Sequence, residues 1–323
     1  MRSDLDNRMS RSSQTKSPSC VPSHELFNEM DARLVQAQSP GYPWLMKHAV
    51  TIFPTDYSMP MAELGPAVEE RGFESLWVSE HSHIPLSRET PWPGGAELPK
   101  MYYDTLDPFV ALTAAAVTTT KLLLGTGICL LTQRDPIHTA KEVSSVDQIS
   151  GGRFLFGVGA GWNVEEMRDH GTDAATRFDL MEERVEAIRT IWTQTKPEYH
   201  GKHVDFPPMM TWPKPVQKPH PPIHVGGGYP GAARRAIAYG DGWMPIVGRG
   251  DQFEQGIGDF RDAAKRAGRD ADALELSLFG APDDVDALSG YRDLGVDRAI
   301  FMLPPVGADE MFATLDTLAR HTA

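Results

Sequence analysis

The 323-residue chain is short of cysteine, of positive charge and of long apolar runs. Its two cysteines, Cys20 and Cys129, cannot build a disulfide framework, since one lies in a polar tail and the other in an apolar run. A reducing cytoplasm is the expected location. No stretch reaches the roughly 20 apolar residues that a bilayer-crossing helix needs. With 31 Lys and Arg against 44 Asp and Glu, the formal net charge is −13, which argues against nucleic acid or an anionic membrane as main partner. A small anionic ligand is not excluded, because backbone dipoles and a few arginines hold one locally.

Residues 1–45 are Ser-rich and polar, show no sustained period and lack the apolar core of a secretory signal. They read as a mobile extension, with Met46 a candidate start and residues 46–323 as one folded domain. From Met46 onward, eight short apolar runs alternate with helical patterns: Lys47–Phe53, Ser75–Ser79, Leu122–Cys129, Arg153–Gly159, Ile223–Gly226, Gly242–Val247, Leu274–Phe279 and Ala299–Leu303. Phe178, Met181, Val185, Ile188 and Trp192 recur at steps of three and four and predict one apolar helix face. Asp107-Pro108 and Asp135-Pro136 read as helix starts, and Ser150-Gly151-Gly152 as a stop.

Eight β/α repeats over this length predict a (β/α)8 barrel, with insertions after strand 2 (Ile84–Tyr103) and between strands 4 and 5 (Thr195–Pro222). The rival is a doubly wound Rossmann sheet, for which Gly157-x-Gly159-x-Gly161 has the wrong final spacing and lies mid-chain.

In a barrel the strand C-termini converge on one mouth. Here they carry Phe53, Glu80-His81, Thr126-Gly127-Ile128-Cys129, Gly159-Ala160-Gly161-Trp162 and Gly226-Gly227-Gly228. Such a set is poor in nucleophiles and suits a planar, partly apolar ring beside one ionisable pair. Gly226-Gly227-Gly228 ahead of Pro230 reads either as a phosphate seat at a helix start or as a plain turn. His81 is either a proton donor and acceptor or a structural histidine. Glu165 and Glu166, in the turn after Asn163, read as acids that complement a helix dipole. His81-x-His83, His200-x-x-His203 and His224 raise a metal site, but no acidic residue ends the eighth strand, and no metal is expected.

The motifs Trp77-Val-Ser-Glu-His81, Leu124-Gly-Thr-Gly127, Asp147-x-x-Ser150-Gly-Gly-Arg-Phe154 and Phe156-Gly-Val-Gly-Ala-Gly-Trp162 together resemble the bacterial luciferase-like superfamily. Lys214-Pro-Val-Gln-Lys-Pro-His-Pro-Pro-Ile-His-Val-Gly-Gly227 and Ala238-Tyr-Gly-Asp-Gly-Trp-Met-Pro245 extend the likeness. Within it, the chain is most similar to the branch of oxidoreductases using the deazaflavin coenzyme F420. The resemblance implies hydride transfer between coenzyme F420 and a small organic substrate, with Glu80 and His81 catalytic near the reactive centre of the ring. It implies that Phe53, Thr126, Gly127, Ile128, Gly159, Ala160, Gly161 and Trp162 bind the ring, and that Gly226, Gly227 and Gly228 bind the phosphate. It also implies a non-prolyl cis peptide, best matched at Gly127–Ile128. The sugar-phosphate dehydrogenases of the family carry a catalytic acid where this chain has Trp162, which favours an apolar or aromatic substrate wall. The alternative is an FMN-dependent monooxygenase using oxygen; minor alternatives are a non-catalytic flavin-binding barrel and a metal-dependent barrel hydrolase. A homodimer is expected through Val110, Leu112, Val117, Ile137, Val143 and Val146.

Overall fold

The computed structural model describes residues 46–248 and 253–322, so the extension expected over residues 1–45 lies outside the described residues. In chain order the first half comprises β1 (Lys47–Ile52), α1 (Met61–Glu70), β2 (Ser75–Val78), α2 (Met101–Asp104), α3 (Pro108–Ala116), β3 (Leu123–Thr126), β4 (Cys129–Leu130), α4 (Pro136–Ser150) and β5 (Phe154–Gly159). The second half comprises α5 (Val164–Asp169), α6 (Arg177–Thr193), β6 (Tyr199–His200), β7 (Asp205–Phe206), β8 (Ile223–Gly226), α7 (Gly231–Tyr239), β9 (Gly242–Met244), α8 (Phe253–Arg266), β10 (Glu275–Phe279), α9 (Val285–Asp293), β11 (Arg298–Met302) and α10 (Ala308–Leu318).

The main strands pair in parallel and close on themselves, with β11 beside β1 and β3 beside β5. This is a (β/α)8 barrel, because β3 and β4 occupy a single strand position. That strand is interrupted at a cis Gly127–Ile128 peptide. Leu124 faces Phe154 on β5, but beyond the interruption Cys129 faces Val158, so the register slips by one residue. An extra residue on one strand is a bulge, and it pushes Ile128 out of the ladder.

Helix boundaries follow local chemistry. Asp107 accepts from the amides of Phe109 and Val110 to start α3, and Asp135 accepts from His138 to start α4. Gly151 ends α4 at φ 70, a left-handed conformation that glycine adopts without a Cβ penalty. On α6, Met181, Val185, Ile188 and Trp192 are buried, each such side chain contributing about 1.5–3 kcal/mol. Phe178 departs from the expected face: it is partly exposed, and the guanidinium groups of Arg177 and Arg235 each pack over its ring.

One apolar cluster lies between the helices and the outside of the sheet, and a smaller one of Ala49, Trp77, Leu155, Met244, Phe279 and Ile300 fills the barrel interior. Buried Arg298 closes the N-terminal end of the barrel, donating to Glu74, Glu275 and Ser277. The expected dimer surface needs correction. Leu112, Val143 and Val146 are buried in the core, which leaves Val110, Val117 and Ile137 exposed. Among the described residues no helix is long and apolar enough to cross a membrane.

Candidate active site

The chain leaves β2 through Ser79, Glu80 and His81, and successive side chains of an extended strand point to opposite faces. Glu80 turns outward and is buried. Its Oε2 accepts from the Leu130 amide at 2.6 Å, and its Oε1 accepts from Arg134 Nε at 2.5 Å. Arg134 also donates to Asp107 and Glu142. Burial pushes the Glu80 carboxyl above its usual range against the opposing pull of Arg134. The Glu80 carboxylate therefore bonds to Leu130 and Arg134 rather than to His81. It fixes the backbone of β4, just beyond the bulge.

His81 points to the mouth, and its partner is Glu166: Nδ1 and Oε2 lie 2.8 Å apart, with the two side chains 4% and 0% exposed. Trp162 Nε1 donates to His81 Nε2 at 3.3 Å. An indole N–H only donates, so Nε2 holds the lone pair and the ring proton sits on Nδ1, facing the carboxylate. Burial raises the Glu166 pKa, but the hydrogen bond and charge of His81 and the Ser82 amide bring it below the usual carboxylate range. Glu166 is thus no surface acid at a helix start. Asn163 caps α5 by accepting from the Glu166 amide, and this turns the Glu166 side chain inward. Glu165 is also engaged: its two oxygens accept from the amide and hydroxyl of Thr90, tying the insertion after β2 to α5.

The glycines at the strand ends make room for the protein itself. A Cβ on Gly159 would lie 1.8 Å from Ile128 Cδ1, and one on Gly226 would lie 2.7 Å from Ile128 Cγ2. Ile128, thrown inward by the bulge, therefore projects between β5 and β8. Thr126 lies below it, its hydroxyl donating to the Gly157 carbonyl at 2.7 Å. Gly127 packs near Phe279 and Trp77, and Ala160 accepts from Thr132. Gly161 takes φ 79, which turns the chain so that Trp162 reaches His81.

Above this floor lies an aromatic group centred on Tyr102. Its ring centroid is 4.5 Å from Phe53, 5.3 Å from His81 and 5.6 Å from Trp92. On the opposite rim, Gly227 accepts from Trp243 Nε1, and Gly228 accepts from the Ala232 amide as α7 begins. Arg235 of α7 and Arg177 of α6 place positive charge nearby, with Arg235 Nη1 3.4 Å from a Cβ built on Gly231.

Sequence reasoning missed Tyr102, Thr90, Arg134 and the inward turn of Glu166. The Asn163 cap was a usable signal for the last. The other three depend on loop paths that no period encodes. His200 pairs with Asp205 in the β6–β7 hairpin, and His224 is buried inside the barrel, so neither joins His81 and His83. Among the described residues no group of three or more His, Cys, Asp or Glu side chains is arranged to hold a metal ion.

Residues 53–282 match the family described as luciferase-like monooxygenase. The uncharacterized protein Rv0953c of Mycobacterium tuberculosis is 36% identical over 282 residues, covering 86% of this chain and 99% of that protein. The F420-dependent glucose-6-phosphate dehydrogenase of Amycolatopsis mediterranei is 25% identical, over 72% of this chain and 68% of its own. Among solved structures, the monooxygenase RslO1 of Streptomyces bottropensis has the same fold, with a TM-score of 0.69 at 22% identity, covering 85% of this chain and 98% of that one.

Proposed function

The chain belongs to the luciferase-like monooxygenase family, and from that premise we propose that it is a coenzyme F420-dependent oxidoreductase acting on a small, uncharged organic substrate. The observation that carries this reading is the closed His81–Glu166 pair at the mouth: hydride transfer to or from a carbon–oxygen centre needs one proton acceptor or donor and little else. The residues present fit a flat heterocycle. Ile128, seated between Gly159 and Gly226, gives an apolar support for one ring face. Gly227, Gly228 and the start of α7, flanked by Arg235, suit a phosphate. When bound, the deazaflavin supplies two-electron hydride chemistry at a ring carbon.

The protein's part is placement and proton handling. Phe53, Tyr102, Trp92 and Trp162 exclude water and favour an apolar substrate. His81 exchanges the proton at Nε2, the nitrogen covered by Trp162 in the structure, so substrate takes the place of the indole N–H. Glu166 holds the other nitrogen and steadies the charge that forms on the ring. Glu80 and Arg134 act at one remove, as positioning residues for β4 and hence for Ile128.

The test is turnover under anaerobic conditions. Loss of the deazaflavin absorbance with uncharged alcohols, aromatic ones included, supports the reading. Oxygen uptake with reduced FMN and the same compounds, and no reaction with coenzyme F420, overturns it in favour of the flavin monooxygenase.

A further inference from the structure

Resting on that reading, we propose that Glu166, Ser82, His83 and Asp169 form a proton conduit between the enclosed His81 and solvent. The need is physical. The imidazole is 4% exposed and Glu166 is 0% exposed, so a proton taken from substrate has no direct route to water. From Glu166 a continuous set of contacts runs outward. Ser82 donates its amide to Glu166 Oε1 at 3.1 Å, and its hydroxyl oxygen lies 3.5 Å from the same oxygen. That hydroxyl lies 2.9 Å from His83 Nδ1 and 2.7 Å from His170 Nε2. His83 Nε2 lies 3.1 Å from Asp169 Oδ2, where the two side chains are 40% and 56% exposed.

The direction of the chain follows from donor and acceptor chemistry. A carboxylate only accepts, so a neutral His83 carries its proton on Nε2, toward Asp169, and Nδ1 accepts from the Ser82 hydroxyl. His170 then donates to one lone pair of Ser82, and the second lone pair faces Glu166. Every member is set to pass a proton outward.

A substrate alcohol would give its hydroxyl proton to His81 Nε2, with a bound deazaflavin supplying the acceptor for the hydride on its carbon. The imidazolium passes its Nδ1 proton to Glu166 Oε2, leaving a neutral ring. A half-turn of the carboxyl about χ3, a broad two-fold torsion, carries that proton to the Ser82 side. Ser82 accepts it and yields its own to His83 Nδ1. His83 releases its Nε2 proton through Asp169 to water. One proton has entered from substrate and one has left to solvent; His81 is then protonated on Nε2 and His83 on Nδ1, and each ring must turn or exchange its proton to regain the starting tautomer.

The test reads exchange of the His81 ring proton in the full-length protein labelled with 15N-histidine, without coenzyme or substrate, so it stands apart from the question of activity. The His81 Nδ1–H resonance is identified by its loss in His81→Asn. Saturation transfer from water should show exchange slowed at least about tenfold in Ser82→Ala and in His83→Gln, and restored in Ser82→Thr, which keeps the hydroxyl. Both altered side chains are partly or fully exposed, and His83→Gln gives an independent cut should Ser82→Ala fail to fold. Unchanged exchange in the variants overturns the conduit. So does equal slowing in Ser82→Ala and Ser82→Thr, which would mark a packing effect.

Discussion

Nδ1 of His81 lies 2.8 Å from Oε2 of Glu166, joining the end of the second strand to the first turn of a helix 85 residues later. The contact fixes the ring's tautomer and leaves Nε2 to face the mouth. Glu166→Gln keeps the shape and removes the charge, and should lower kcat by roughly a hundredfold. His81→Asn should lower it by roughly 10²–10⁴, with coenzyme affinity within about twofold of the parent in both. Steady-state kinetics and coenzyme titrations check this. Full activity in His81→Asn removes the imidazole from the mechanism.

Ile128 and Gly159 share one space. An alanine at position 159 would place its Cβ 1.8 Å from Ile128 Cδ1, and overpacking of this kind costs about 1–3 kcal/mol. Adding Ile128→Ala to Gly159→Ala should recover most of that loss in urea unfolding. Losses that merely add would show that the two residues do not compete for the space.

Stability should fall on mild acidification because of His224. Burial inside the barrel holds its pKa down at about 4, against the opposing attraction of Glu275, whereas an exposed histidine of the unfolded chain titrates at the ordinary 6.5. Between those values the unfolded state binds more protons, so stability is complete above the higher one and is lost as pH falls toward the lower. The loss at the acid end is about 3 kcal/mol. His48, lowered to about 4 by burial and by His321, adds a loss of the same sign. His224→Asn should shrink the difference in unfolding free energy between neutral pH and about pH 5 by about 2 kcal/mol. An undiminished difference would place the acid sensitivity elsewhere.

Thr90 anchors the insertion after β2 to Glu165 through both its amide and its hydroxyl. Thr90→Val removes the hydroxyl bond. Limited proteolysis within residues 84–100 should become severalfold faster, and KM should rise with kcat nearly unchanged. Unaltered proteolysis would mean that the loop is held by its aromatic contacts alone, Trp92 against Tyr102.

The barrel was legible because its signals are local. Apolar runs located all the main strands, and Asp107, Asp135 and Gly151 marked helix ends by chemistry that acts within a few residues. The site was legible only as a set of strand ends. That Gly159 and Gly226 accommodate Ile128 depends on a one-residue register slip between two strands, which no single-strand pattern records. No sequence pattern joins His81 to Glu166, 85 residues later, and strand alternation sends the neighbouring Glu80 carboxylate to Arg134 instead. Tyr102 reaches the mouth from a long insertion whose path is set by tertiary contacts such as that between Thr90 and Glu165.

Ile128 floors one mouth, and His81 and Trp162 wall it; the proposal that its occupant is a deazaflavin rests on that arrangement. Equilibrium titration of the purified protein with coenzyme F420 and with FMN, side by side, tests it most directly. Coenzyme F420 should bind saturably and at least about tenfold tighter than FMN, a difference of about 1.4 kcal/mol. Tight FMN binding with none of coenzyme F420 would contradict it.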